Sequence, residues 1–167
     1  MPHLDAAYNL ARWLVRNPHD AEDVVQEAYL RAFKFFSGYQ GGEARAWVLK
    51  IVRNTSYSFL EKSRPAELAE EFDETIHTVG ATQPGAEAAL LQSADSRMLR
   101  EALDELPVNF REVLVLRELE GMSYKEIAEV MDVPIGTVMS GLARGRVQLR
   151  ERLLRARDQE AQRGLRK

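Results

Sequence analysis

Apolar residues along this chain recur three and four positions apart, the spacing of a buried helical stripe, and they never alternate as in a half-buried strand. Leu4, Ala7, Ala11 and Leu14, with Tyr8 and Val15 beside them, predict a first helix. Asn17-Pro18-His19-Asp20 ends it, and Asp20 is the expected N-cap of the next. That second helix, DAEDVVQEAYLRAFKFF, turns Ala21, Val24, Val25, Ala28, Ala32 and Phe35 or Phe36 inward. Glycines at 38, 41 and 42 cannot continue a helix cheaply, so Ser37–Gly42 is a loop. A third helix, from about Glu43 to Glu61, is expected to pack through Trp47, Val48, Ile51, Val52 and Thr55 before Lys62-Ser63-Arg64-Pro65 closes the unit.

From Ala66 to Gly85 the chain is acidic, poor in aliphatic residues and broken by Gly80 and Pro84-Gly85, the composition of a linker. A short helix around Ala66–Phe72 is the one element to expect there. Leu91, Ala94, Met98, Ala102 and Leu106 restart a helical stripe. Pro107 suits the first turn of the following helix, which buries Phe110, Val113, Leu114 and Leu116 or the stem of Arg117, and Gly121 ends it. Ser123 and Glu126 then form a capping box ahead of Ile127, Ala128, Val130 and Met131. Pro134 removes an amide donor and biases Val133 away from the α region, so this helix stops at 132–134. The next helix offers Val138, Leu142, Val147 and Leu149 to a core. Two short helices across a tight turn make a helix-turn-helix, whose second helix enters the DNA major groove. The competing reading is an ordinary αα-hairpin in a bundle.

Charge favours DNA. The chain carries a net charge of −3, which looks wrong for a DNA binder until it is divided along the sequence. Residues 1–65 hold 9 basic and 7 acidic groups, residues 66–106 hold 2 and 10, residues 107–135 hold 3 and 6, and residues 136–167 hold 9 and 3. Positive charge thus begins where the recognition helix begins, as phosphate contacts require. No cysteine is present, which excludes disulfides, thiolate-bound zinc and thiol catalysis. His3, His19 and His77 are too scattered to form a metal site, and no nucleophile–base pair is visible, so neither catalytic nor metal residues are expected. No membrane-spanning run and no cleavable signal appear, so a cytoplasmic location is expected.

Two surfaces of the N-terminal unit carry further chemistry. Asp23, Gln26, Glu27 and Leu30 share one side of the second helix, either as a solvated face or as a docking ridge for a basic partner helix. Lys50, Arg53, Asn54 and Tyr57 line the side of the third helix away from its core stripe, next to the glycine-rich loop with Tyr39 and Gln40. Basic groups beside aromatic rings suit unstacked bases, although basic amphipathic helices are common without that role.

In order, DAEDVVQEAYLRAF, GGEARAWVLKIVRNT, LPVNFREVLVLRELEGMSYKEIAEVM and VPIGTVMSGLARGR resemble regions 2 and 4 of bacterial extracytoplasmic-function sigma factors. The resemblance spans all but the linker and the last residues. It implies an all-α chain of two small helical domains: a region 2-like bundle of three to four helices at 1–65 and a region 4-like helix-turn-helix domain at 90–167. A flexible acidic linker, 66–89, joins them and runs along the RNA-exit side of the polymerase. It also implies that Asp23, Gln26, Glu27 and Leu30 dock on the β′ clamp of core RNA polymerase, with the β subunit a further contact. Tyr39 and Gln40 belong to the loop that captures a flipped −10 base, and Lys50, Arg53, Asn54 and Tyr57 to the helix that opens the −10 duplex. Thr137, Met139, Ser140, Ala143, Arg144 and Arg146 correspond to positions that hold and read the −35 element. Promoter DNA and an anti-sigma factor are the other implied partners; no cofactor is.

The chain departs from the family's pattern at two points. It begins a few residues before Leu4, where members usually carry a longer first helix, so an N-terminus that is trimmed or assigned to a different start is expected. Position 141, usually arginine, is glycine. Without the resemblance, a transcription regulator using only its helix-turn-helix remains the alternative function.

Overall fold

The computed structural model describes residues 3–39, 41–68 and 95–165, and these residues form seven α-helices and no strand. Helices α1 (Leu4–Val15), α2 (Pro18–Lys34) and α3 (Ala44–Ser63) pack each against the other two. Their shared core is Ala7, Leu10, Ala11 and Leu14 from α1, Val24 and Ala28 from α2, and Leu49, Val52 and Leu60 from α3.

Local sequence explains the boundaries, with one shift at the start of α2. The cap there is Asn17, whose side chain accepts from the amides of His19 at 2.8 Å and Asp20 at 3.2 Å. Pro18 takes the first helical position, where its missing N–H costs nothing, and Asp20 falls inside the first turn. Phe35 and Phe36 do not face the core; they are 57% and 64% exposed. Helix α2 ends at Lys34 and the chain tightens into a 3-10 turn over Phe36–Gly38, so the helical period no longer applies to them. On α3 the buried line runs through Ala46, Leu49, Val52, Thr55, Ser56 and Leu60, while Trp47, Val48 and Ile51 are only half-buried at its margin. The hydroxyls of Thr55 and Ser56 donate back to the carbonyls of Ile51 and Val52, which lets both sit in the core. One 3-10 turn, Pro65–Leu68, follows and takes in the first residues of the linker; the rest of the linker and of the expected 66–72 helix, with Leu91 and Ala94, lies outside the described residues.

The C-terminal half consists of α4 (Ser96–Glu105), α5 (Val108–Leu114), α6 (Tyr124–Met131) and α7 (Ile135–Leu165). Pro107 stands at the N-cap of α5, one place before the expected first turn. A π-helical turn, Val115–Leu119, extends α5, and Gly121 at φ +64° reverses the chain where a side chain would be strained. The capping box of α6 is complete: the Glu126 amide donates to Ser123 Oγ and the Ser123 amide donates to the Glu126 carboxylate, both at 3.1 Å. Asp132 takes a left-handed conformation to end α6, and α7 starts after Pro134. Gly145 lets α7 approach α5 closely, since a Cβ there would lie 3.3 Å from Leu114 Cδ1.

The two halves touch. Helix α3 packs along α6, and α1 packs against α5. Every residue of α5 is buried, including Asn109, Arg111 and Glu112, because neighbouring helices cover it from both sides. No helix among the described residues is long and apolar enough to cross a membrane.

Candidate nucleic-acid interface

The ridge on α2 has the expected geometry. Its buried positions, Ala21, Val24, Val25 and Ala28, face α1 and α3, which leaves Asp23, Gln26, Glu27 and Leu30 exposed along the opposite side. Leu30 is 66% exposed and Phe33, one turn further on, is 72% exposed. Phe33 and Leu30 border an apolar groove with Leu4, Tyr8, Val25 and Tyr29. A charged ridge beside an apolar groove can take a partner helix through both ion pairs and burial. Glu27 holds Arg31 at 2.8 Å, an exposed pair one helical turn apart that contributes little to stability.

The glycine loop is held by its own aromatic residues. The Tyr39 hydroxyl donates to the Gly42 carbonyl at 2.5 Å and accepts from the Gly42 amide at 3.3 Å. Its ring lies 5.2 Å from that of Trp47 and 6.2 Å, stacked, from that of Phe36. Gly41 sits at φ +72°, while Gly42 has ordinary backbone geometry. Gln40 lies outside the described residues. Helical periodicity turns Trp47, and Phe35 or Phe36, towards the core; a loop that folds back on its flanking helices instead joins Phe36 and Trp47 to Tyr39.

On α3, Asn54 is exposed, but Lys50, Arg53 and Tyr57 are half-buried. Arg53 lies 3.9 Å above the Tyr57 ring, and both residues bind Glu112 of α5. The Arg53 Nε donates to the Glu112 carboxylate at 2.8 Å and the Tyr57 hydroxyl donates to it at 2.6 Å. Burial lowers the Arg53 pKa more than any other single cause, but the charges of Glu112 and Tyr57 and the hydrogen bonds to them together outweigh it and hold the guanidinium above its ordinary range. Burial pushes the Glu112 carboxyl up despite Arg53, and burial together with Glu112 pushes the Tyr57 phenol well up.

The start of α7 presents Ile135, Gly136, Met139 and Ala143 to solvent. Thr137, Ser140, Arg144 and Arg146 are half-buried. Ser140 Oγ donates to the Thr137 carbonyl, Arg144 lies 5.3 Å from the Phe110 ring, and Arg146 pairs with Glu118 at 3.0 Å. Gly141 is buried on the same side of α7 as Val138, Leu142 and Gly145, away from exposed Met139 and Ala143.

The sequence matches two family models, Sigma-70 region 2 over residues 1–65 and Sigma-70, region 4 over residues 96–149. The ECF RNA polymerase sigma-E factor of Haemophilus influenzae is 35% identical over 153 residues, covering 86% of this chain and 79% of that protein. This chain belongs to the extracytoplasmic-function sigma factors. Among its relatives, the ECF RNA polymerase sigma factor SigE of Mycolicibacterium smegmatis is 37% identical over 163 residues; the match covers 96% of this chain but only 62% of that longer protein. Two solved structures share its fold. The sigma factor RpoE of Bartonella quintana, in complex with the anti-sigma factor NepR, has a TM-score of 0.66 at 29% identity over 90% of this chain and 91% of that one. CnrH, in complex with the cytosolic domain of CnrY, has a TM-score of 0.58 at 25% identity over 92% of this chain and 83% of that one.

As a sigma factor, the chain brings its region 2 loop and its region 4 helix-turn-helix to either side of one open cleft of about 570 Å³. Gly38, Tyr39, Trp47 and Lys50 form one wall, and Lys125, Glu129, Asp132 and Ile135 the other. Nothing in the sequence pattern brings these two surfaces together. Arg111 and Glu112, which join the halves, carried no signal beyond being charged residues inside an apolar stripe.

Proposed function

We propose that this sigma factor binds core RNA polymerase and directs initiation at promoters, with residues 1–65 and 90–167 acting as its two working units across a 66–89 linker. The observation that carries this reading is the exposed ridge Asp23–Gln26–Glu27–Leu30 in the same chain as a recognition helix. A simple helix-turn-helix regulator needs no such ridge. Asp23 and Glu27 supply negative charge to a basic partner helix on the polymerase clamp, and Leu30 with Phe33 supplies apolar area.

Tyr39, together with Gln40 and the glycines of the loop, receives an unpaired base of the −10 element. Arg53 and Tyr57 present a guanidinium stacked on a ring, which suits a base and its phosphate, with Lys50 and Asn54 on the flanking backbone. Met139 and Ala143 face base edges of the −35 element by apolar contact, Ser140 and Arg144 by hydrogen bonding, and Thr137 and Arg146 hold phosphates. An anti-sigma partner follows from the two structural relatives, each solved with such a partner or with the domain of another protein. The role is regulatory, with no catalytic step of its own, and its site of action is the cytoplasm, where polymerase and promoter meet.

Run-off transcription from a promoter library, with core polymerase in the presence and absence of this chain, tests the reading. New transcripts that depend on the chain and start from a shared pair of elements are the expected result. Transcripts unchanged by the chain would overturn it.

A further inference from the structure

We infer that α7 selects its −35 element by thymine methyl groups: Met139 and Ala143 each cover one, and so favour A·T pairs at those positions. The inference rests on the −35 role proposed above and names the base chemistry that this role selects. The observation that carries it is the polarity of the exposed face. Of the described residues 135–149, those left exposed are Ile135, Gly136, Met139 and Ala143, and none carries a side-chain nitrogen or oxygen. Ile135 and Met139 are 45% and 54% exposed, and with Ala143 they recur at four-residue spacing, so they stand in one line along α7. Single exposed apolar residues are ordinary on a protein surface. A line of them at the start of the second helix of a helix-turn-helix lies where base edges are met.

The polar side chains of the same stretch are already held within the protein. Ser140 Oγ donates to the Thr137 carbonyl at 3.2 Å, Arg144 lies 5.3 Å from the Phe110 ring, and Arg146 pairs with Glu118 at 3.0 Å. By helical spacing Ser140 and Arg144 lie beside the apolar line and Arg146 follows it, so none interrupts it. Ile135, at its near end, belongs to the cleft shared with the region 2 loop. Met139 and Ala143 remain for the bases.

Base edges in the major groove are hydrogen-bonding groups, with the thymine C5 methyl the apolar exception. An apolar side chain over a G·C pair would strip water from N7, O6 or N4 and put nothing in its place, which costs free energy. Over a thymine the same side chain gains by covering the methyl. Met139 suits this contact, because an unbranched thioether adapts to the surface it meets. Four residues advance a helix by about 6 Å and stacked base pairs rise by about 3.4 Å, so Met139 and Ala143 reach methyls no more than about two steps apart.

Holoenzyme assembled from core polymerase and the full chain is run on a promoter library, and a chain-dependent promoter is rebuilt with deoxyuridine replacing single thymines of its −35 element. Deoxyuridine pairs as thymine does and lacks only the C5 methyl. Holoenzyme binding, measured by competition against the unmodified promoter, should weaken by about three- to tenfold at two neighbouring thymines. Met139→Ala should remove the penalty at one of them, whereas Met139→Leu, which stays apolar, should keep it. Ala143→Gly should remove the penalty at the other. Met139 and Ala143 are exposed, and the thymine-to-deoxyuridine ratio is internal to each variant, so a general loss of affinity leaves the comparison intact. A −35 element without thymine, deoxyuridine tolerated throughout it, or a penalty that Met139→Ala leaves unchanged would overturn the inference. Failure of the proposed function would appear one step earlier, as a library that yields no chain-dependent transcript.

Discussion

Arg111 donates through Nε to the carbonyl oxygen of Trp13 at 2.6 Å, so a side chain of the second half closes the end of the first helix of the first. Burial, together with the nearby Arg16 charge, lowers its pKa to about 10, which still leaves it charged at neutral pH. Arg111→Met should strand the acceptors of Trp13, Leu14 and Leu106 at a cost of about 1–3 kcal/mol each where no water replaces the donor. Arg111→Lys should recover only part of this, because an ammonium cannot span the positions of a planar fork. Urea denaturation followed by circular dichroism measures both; an Arg111→Met midpoint equal to the parent's would contradict the arrangement.

Glu112 makes the contact between halves pH-dependent. Burial pushes its carboxyl up although Arg53, Tyr57 and Arg111 each pull it down, so the closed form, with the halves packed, holds a proton there more tightly than a form open to water. This contribution favours closing fully below the ordinary carboxylate range and is lost as pH rises through the raised value. Glu126 runs the other way: the hydrogen bond from the Ser123 amide holds its pKa down, and the stability this provides is lost as pH falls through that depressed value. The parent must therefore be compared with Glu112→Gln, which cannot titrate at this position. The expected outcome, read as the distance between two dyes at exposed Glu22→Cys and Gln159→Cys, is that closing of the parent, relative to Glu112→Gln, strengthens as pH falls towards the carboxylate range. A difference independent of pH, or one of opposite sign, would contradict it.

The ridge on α2 allows a sharp separation of binding from folding. Asp23 and Glu27 are exposed, and the Glu27–Arg31 pair is a surface one, so Asp23→Lys with Glu27→Lys should leave helix content and melting nearly unchanged. Binding to core polymerase should weaken by about 2–5 kcal/mol, the cost of removing partners from close interfacial charge pairs. Titration of labelled protein with core polymerase measures this, and Phe33→Ala should add to the loss by removing apolar area. Unaltered affinity in the double-lysine variant would exclude this face.

Gly41 and Gly42 should behave differently, although both belong to the same loop. A left-handed residue other than glycine costs about 1–2 kcal/mol, so Gly41→Ala at φ +72° should distort the loop, whereas Gly42→Ala meets open space and should be tolerated. If the loop receives an unpaired base, Gly41→Ala and Tyr39→Phe should slow promoter opening, read by permanganate reactivity of thymines, more than they weaken the initial closed complex. Equal sensitivity of Gly41 and Gly42, or an effect on the closed complex alone, would count against that role.

Much of this protein is written in neighbours three and four residues apart. The stripe through Ala7, Ala11 and Leu14, the capping box of Ser123 and Glu126, the break at Pro134 and the outward ridge of Asp23, Gln26 and Glu27 are all local features, and each appears in the structure as the sequence predicts, except that Leu4, at the first position of the stripe, is 44% exposed. Local pattern misleads where a second surface arrives from a distant part of the chain. Nothing in NFREVL indicates that Arg111 and Glu112 are buried, because α1 and α3, which cover them, lie dozens of residues earlier. The basic face of α3 looks free for DNA in the sequence, yet in the structure Arg53 and Tyr57 are held by Glu112. Gly141 reads in the sequence as a missing arginine, whereas in the structure it is buried beside Val138 and Leu142. Helical periodicity determines which side of a helix is apolar; only the packing of the halves decides which polar side chains lose water, and with that which of them are available to a partner.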